Sequence, residues 1–368
     1  MLPNPQPYFA ALVDPRRETR NKLHALQDIV MITLCATLCG HDDWVSIEDF
    51  AHENEAWLRE FLPLSNGIPS HDTLSDVMGR LERKAFADAF GRWMQDSLPE
   101  FDARHIALDG KTLRGSRQNG SAVHLMSAFA TQARLVLAQQ AVAGKSNEIM
   151  ALPELMKQMD LRGAVISIDA IGCQKTVAGQ IIAAGADYVL ALKDNHPTLR
   201  EEVALWLDEQ IDKGRLPRLE TTGKDHGRVE VRRYSLSCQL DWLEPRTQWA
   251  GLAAVGRVES IRHVGGQETR ECRYFLSSIT DLEVFAGVVR NHWAIENQQH
   301  WVLDVQFRED ANRSRKDHSA SNLALIRRAA LSLIRENDNS KLSIGRRRMR
   351  ACTNAQYRTQ LLFGVEGS

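Results

Sequence analysis

Three carboxylates stand out by position. Asp109 closes the short apolar run Ile106-Ala107-Leu108, Asp169 closes Val165-Ile166-Ser167-Ile168, and Glu296 lies in Asn291-His292-Trp293-Ala294-Ile295-Glu296-Asn297, where apolar residues recur at helical spacing. Carboxylate oxygens are hard anionic ligands. Gathered in one place they repel unless a cation joins them, and Mg²⁺ or Mn²⁺ suits such oxygens. Two such ions support in-line displacement at a phosphodiester. Taken singly, a strand-ending Asp is often only a turn residue or cap. Asp304, Glu309 and Asp310 follow Glu296 closely as rival carboxylates.

Positions 285, 289, 292, 296, 300 and 303 fall on one helical stripe, so His292 and His300 flank Glu296. They either touch a substrate phosphate and orient the carboxylate, or are partly buried polar neighbours of a core built from Trp293, Ile295, Trp301 and Leu303. The second reading is preferred. The spacing is not that of an H-E-x-x-H zinc site.

The elements around these residues follow a recognisable order. Residues 1–100 read as helical, with apolar helices over 23–38 and 44–61, a turn at Leu64-Ser65-Asn66-Gly67-Ile68-Pro69, and a further helix through Leu74, Val77, Met78 and Leu81 capped by Ser70 or Asp72. Such an array serves equally as a DNA-binding unit or a scaffold. Three strands follow, over 105–112, 123–131 and 135–143, separated by turn residues. Then come a helix (148–159), a strand (164–168), a helix (175–184), a strand (188–192) and a helix (198–211). Three strands and then alternating helices and strands is the order of a ribonuclease H-like core. In that topology the first and fourth strands are neighbours, so Asp109 and Asp169 meet although 60 positions separate them. Residues 219–280 interrupt the order with strands around 229–234, 253–258 and 273–276 and a hairpin turn at Gly265-Gly266, a β-rich insertion. Helix returns at Leu282 and carries Glu296.

Composition sets the outer limits. With 368 residues, 43% hydrophobic and 25% charged, the chain is long enough for two or three globular domains. The longest apolar stretch, 29–39, is too short to span a bilayer, and the N-terminus lacks a secretory pattern, so a cytoplasmic, nucleoid-associated protein with no membrane partner is expected. Six cysteines show no C-x-x-C pair, and Cys35 and Cys39 read as reduced core residues. The net charge of −1 hides an asymmetry. From Arg308 onward there are 13 Lys or Arg against 6 Asp or Glu, including Gly345-Arg346-Arg347-Arg348-Met349-Arg350. That run reads as a phosphate-contacting patch or a solvated basic tail.

The chain resembles bacterial insertion-sequence transposases of the DDE type, in the group of H-repeat-associated proteins. The matching segments are Asn66-Gly67-Ile68-Pro69-Ser70-His71-Asp72-Thr73, Leu108-Asp109-Gly110-Lys111 with Arg114-Gly115-Ser116, Ile168-Asp169-Ala170-Ile171-Gly172-Cys173-Gln174, and the long block from His292 to Asp310. The resemblance spans nearly the whole chain. It implies a helical N-terminal domain (1–100), a ribonuclease H-like core in two parts (101–218 and 281–335) around the β-rich insertion (219–280), and a basic C-terminal segment (336–368). It also implies that Asp109, Asp169 and Glu296, rather than Asp304 or Glu309, bind two Mg²⁺ or Mn²⁺ ions. The implied activity is cleavage at insertion-sequence ends and strand transfer into target DNA by a homodimer on double-stranded DNA. The alternatives are a domesticated DNA-binding protein and a nuclease without strand transfer.

Related transposases outside this group carry Tyr, Arg and Lys around the catalytic Glu. Here Val289, His292 and Leu303 stand in their places, which leaves Arg290, His292 and His300 as substitute phosphate contacts. Lys111, Arg114, Lys193 and Arg346, Arg347 and Arg348 complete the candidate DNA contacts.

Overall fold

The computed structural model describes residues 1–20, 22–97, 105–118, 121–142, 148–225 and 228–364. Helices α1 (Gln6–Ala10), α2 (Leu26–Leu38), α3 (Trp44–Glu53), α4 (Glu55–Leu58), α5 (His71–Arg80) and α6 (Arg83–Ser97) come first. Asp43 and Ser46 cap α3 reciprocally, and Ser70 accepts from the Thr73 N–H to cap α5. Almost every residue of α2 is buried, so it forms the centre of this region rather than an amphipathic surface helix.

Strands β1 (His105–Thr112), β2 (His124–Ala130) and β3 (Leu135–Val142) form an antiparallel meander. Helix α7 (Glu148–Met156), β4 (Val165–Ile168), α8 (Lys175–Ala183), β5 (Asp187–Leu192) and α9 (Pro197–Asp212) follow. Strands β4 and β5 run parallel to β1. The resulting order β3-β2-β1-β4-β5 is the ribonuclease H-like core.

The insertion contributes β6 (Arg218–Asp225), β7 (Arg228–Ser237), β8 (Ala254–Val264) and β9 (Gln267–Ser277). It extends the core sheet. Strand β9 pairs antiparallel with β5, Leu276 opposite Leu190, giving one nine-stranded sheet that continues β5-β9-β8-β7-β6. Strand β6 escapes the sequence reading because it is an edge strand of polar residues with no apolar alternation. Gly265 and Gly266, both at positive φ, turn the β8–β9 hairpin as expected.

Helix α10 (Leu282–His292), a π-helical turn (Ile295–His300), α11 (Trp301–Gln306), α12 (Ser319–Glu336), α13 (Ile344–Thr353) and α14 (Ala355–Phe363) complete the chain. Helices cover both faces of the sheet. On one face α7, α8 and α9 bury Ile106, Leu108, Ile166 and Ile168. On the other, Ala107 and Phe129 join a core shared by α2, α5, α6, α12 and α14, while Val165, Val189 and Phe275 pack on Phe285 and Val289 of α10. Among the described residues no helix is long and apolar enough to cross a membrane, and Cys35 and Cys39 are free and buried.

The C-terminal basic run is corrected by the structure. Helix ends carry unpaired carbonyls and the negative end of the helix dipole, and arginines of this segment serve them. Arg347 donates to the carbonyls of Ile334 and Asp338 at the end of α12, both at 3.0 Å, and to that of Ser340. Arg348 donates to the carbonyl of Thr37 in α2 at 2.7 Å and to that of Gln306 at the end of α11, and pairs with Asp42 at 2.7 Å. Arg358 donates to the carbonyls of Ala351 and Cys352 in α13. Arg347 and Arg348 are therefore internal braces. Of the three arginines taken as a DNA-contacting patch, only Arg346 is exposed.

Arg348→Ala should destabilise the protein by roughly 3–5 kcal/mol in urea unfolding, because Asp42 is left without its partner. Arg346→Ala should change stability by less than about 0.5 kcal/mol. Equal small effects from both would contradict the bracing role.

Candidate active site

The geometry begins with register. Strands β1 and β4 are paired in parallel up to Leu108 opposite Ile168, so the next residues, Asp109 and Asp169, emerge side by side. Alternation along a strand sends Leu108 and Ile168 into the apolar layer under α7 and α8. Asp109 and Asp169 leave towards the face covered by α10. There they share a pocket with Ser167, Lys193, His292 and Glu296. Close packing surrounds both aspartates, at Gly110 within β1 and at Gly172 just after β4. A Cβ on Gly110 would lie 2.5 Å from His124 Nε2, and one on Gly172 would lie 2.3 Å from Ile168 Cγ2.

Glu296 arrives on the π-helical turn, where the sequence suggested an uninterrupted α-helix. A π turn inserts an extra residue and shifts the phase of the helix. It lets Ile295, Leu303 and Phe307 stay in the helical core while Glu296 faces the two aspartates.

Negative charge concentrates here. Burial pushes the Asp109 carboxyl up to about 7; the Gly110 N–H opposes the rise, and the charges of Glu296, Asp169 and Glu148 add to it. Burial and then the charge of Asp169 also raise Glu296. Asp169 moves the other way: burial is outweighed by the Ala170 N–H, which donates to its Oδ1 at 2.6 Å, and by Lys193, whose Nζ is 3.1 Å from the same oxygen. Among the described residues no three His, Cys, Asp or Glu side chains converge as a ready-made metal cluster. The donor set itself, three carboxylates in one pocket with two of them resisting ionisation, fits a hard divalent cation.

Both histidines of the stripe border the carboxylates as partly buried neighbours; of the core residues expected beside them, Ile295 and Leu303 are buried while Trp293 and Trp301 are exposed. His292 Nδ1 lies 2.7 Å from Ser167 Oγ, which lies 2.7 Å from His105 Nε2, whose Nδ1 is 3.0 Å from Thr131 Oγ1. Burial pushes His292 down to about 4 and His105 to about 3. His300 Nδ1 sits 3.6 Å from Asp109 Oδ2 and is also pushed down to about 3 by burial. Burial thus favours the uncharged form of both His292 and His300.

Lys111 is also corrected. It is buried and pairs with Asp304 at 2.5 Å and Glu309 at 3.0 Å, and Glu309 pairs with Arg328 at 2.8 Å. This network ties β1, two residues beyond Asp109, to α11 and α12. Asp304 and Glu309, the rivals of Glu296, are thereby engaged as structural counter-charges. Arg114, Arg290 and Lys193 have exposed side chains. Arg273 of β9 lines the pocket and was missed, although its alternation with Phe275 placed both on one strand face.

A family model described as Transposase DDE domain matches residues 100–333, and one described as DDE_Tnp_1-associated matches residues 7–94. The chain belongs to the DDE transposase family. A protein named "Uncharacterized protein in dhlA 3'region" from Xanthobacter autotrophicus is 48% identical over 283 residues, 76% of this chain and 96% of the relative. "H repeat-associated putative transposase YhhI" of Escherichia coli K12 is 34% identical over 370 residues, 96% of both chains. A solved structure of the piggyBac transposase synaptic complex with hairpin DNA aligns with 94% of this chain and 75% of its own at 10% identity and TM-score 0.46.

The buried network makes a pH-dependent contribution. Burial would raise the Glu309 carboxyl, but Arg328 and then Lys111 outweigh it and hold it at about 2, below its ordinary 4.5. A depressed folded-state value stabilises the protein above the ordinary value, and that stability is lost as pH falls from about 4.5 through about 2. Glu309→Gln should cost roughly 3–5 kcal/mol in urea unfolding at neutral pH. The gap from wild type should narrow below pH 4.5; a gap independent of pH would contradict this account.

Proposed function

We propose that this protein cuts DNA at the ends of an insertion sequence and joins the freed 3′ ends to target DNA, with Asp109, Asp169 and Glu296 as the ligands of two Mg²⁺ or Mn²⁺ ions. The observation that carries this reading is the β1–β4 register, which delivers two aspartates side by side into a pocket that Glu296 enters from a helix. Such ions supply Lewis-acid stabilisation to the attacking and leaving oxygens of an in-line phosphodiester displacement.

The chain's own groups fix the geometry. Strand β1 holds Asp109 and the end of β4 holds Asp169, the π turn aims Glu296, and the buried Lys111 network keeps strand and helix in place. Lys193, next to Asp169 and half exposed, is free to exchange its carboxylate for a backbone phosphate, since an exposed ion pair is worth at most about 1 kcal/mol. Exposed Arg114, Arg290 and Arg346 extend the phosphate-contacting surface. The neutral rings of His292 and His300 limit water around the carboxylates and leave their charge for the cations. Because two element ends must be brought together, at least two copies of the chain act on one element.

The test is cleavage and joining of a labelled duplex bearing the native terminal repeats, with Mg²⁺ present. Wild type should give joined product. Glu296→Gln should fold and bind the ends but lose cleavage by on the order of 10³-fold. Full cleavage by the variant would remove Glu296 from the site, and cutting without joining would make the protein a nuclease.

A further inference from the structure

The helix that brings Glu296 brings no positive charge with it into the pocket. The residues it contributes there are Val289, His292, Trp293 and Glu296, none of them a Lys or Arg. The cations lining the pocket are Lys193, just beyond β5, and Arg273, on β9 of the insertion. Arg273 shares a strand face with Phe275, which is packed edge-on against Phe285 of α10 at 5.7 Å. Alternation along β9 puts the Arg273 side chain on the same face, where it lines the carboxylate pocket. Its guanidinium carbon lies 4.6 Å from the centroid of the Trp293 ring, and its charge is felt at both Glu296 and His292.

The partner of this guanidinium is a weak one. Arg273 Nε donates to Glu271 Oε1 at 2.7 Å and Nη2 to Glu271 Oε2 at 3.1 Å. The Glu271 side chain is 49% exposed, and ion pairs open to water on one side contribute little. The bidentate fork that Glu271 occupies is also the geometry that receives two phosphate oxygens. The Trp293 ring holds the guanidinium plane in orientation whichever anion is present.

We propose that Arg273 exchanges Glu271 for the non-bridging oxygens of the scissile phosphate, so that the β-rich insertion forms one wall of the active site and contributes a substrate-binding cation to it. The inference rests on the strand-transfer reading above. Glu271 then acts as a place-holder that keeps the guanidinium extended into the pocket before DNA arrives.

Three variants test it with the element-end duplex. Arg273→Ala should lose roughly 10²-fold in cleavage rate, as expected for a group that stabilises transition-state charge, and Arg273→Lys should recover part of that loss. The slope of log affinity against log salt should fall by about one for Arg273→Ala. On a duplex carrying a neutral methylphosphonate at the scissile position, Arg273→Ala and wild type should show the same slope. Glu271→Gln, which removes the competing anion, should bind the unmodified duplex at least as tightly as wild type. Arg273→Ala cutting at the wild-type rate, or a slope difference that persists on the methylphosphonate duplex, would overturn the assignment. A wild type that binds ends without cutting defeats the strand-transfer reading instead, and the slope comparison still decides whether Arg273 meets that phosphate.

Discussion

Parallel pairing of β1 with β4 is the constraint on which the rest depends, because its register places Asp109 beside Asp169. Two carboxylates this close destabilise the fold unless a cation or a hydrogen-bond donor offsets their repulsion. The protein offsets it unevenly. Asp169 has the Ala170 N–H and Lys193, while Asp109 has the Gly110 N–H and a neutral imidazole 3.6 Å away. The surrounding fold keeps the pair in place against that repulsion. Apolar neighbours Leu108 and Ile168 are clamped under α7 and α8, and Gly110 and Gly172 sit where a Cβ would clash.

A second set of charges holds the helical side of the site. Lys111, Asp304, Glu309 and Arg328 link the strand bearing Asp109 to α11 and α12, the helices that follow the Glu296 segment. Buried ionic networks are weak sources of stability but strongly geometric, since no member can move without stranding another. Arg347, Arg348 and Arg358 act similarly, donating to carbonyls in or near the ends of α2, α11, α12 and α13. The N-terminal and C-terminal helices thus form one core around α2 and α12, and the sheet is anchored to it through β1–β3.

Much of this is legible in the sequence, and the exceptions have physical causes. Strands β1, β4 and β5 are short apolar runs ended by polar residues, and their order with the helices implies the ribonuclease H-like core that the sheet order displays. The position of Glu296 on a helical segment is legible too. Its π turn is not, because a pattern of apolar residues reports which side of a helix is buried and not how its hydrogen bonds are closed. The arginine run at 346–348 misleads because sequence displays charge without displaying acceptors; the carbonyls that Arg347 and Arg348 serve come from distant helices. Lys111 is hidden for the same reason. Arg273 enters the pocket only because β9 closes onto β5, a long-range pairing between the insertion and the core.

The central claim is that Asp109, Asp169 and Glu296 form one cation site. Electron paramagnetic resonance titration of Mn²⁺ into the full-length protein with an element-end duplex tests it most directly. The account predicts tight binding of two ions per chain, lost in both Asp109→Asn and Asp169→Asn while each variant stays folded. Tight Mn²⁺ binding that is unchanged in both variants would place the metal elsewhere and contradict it.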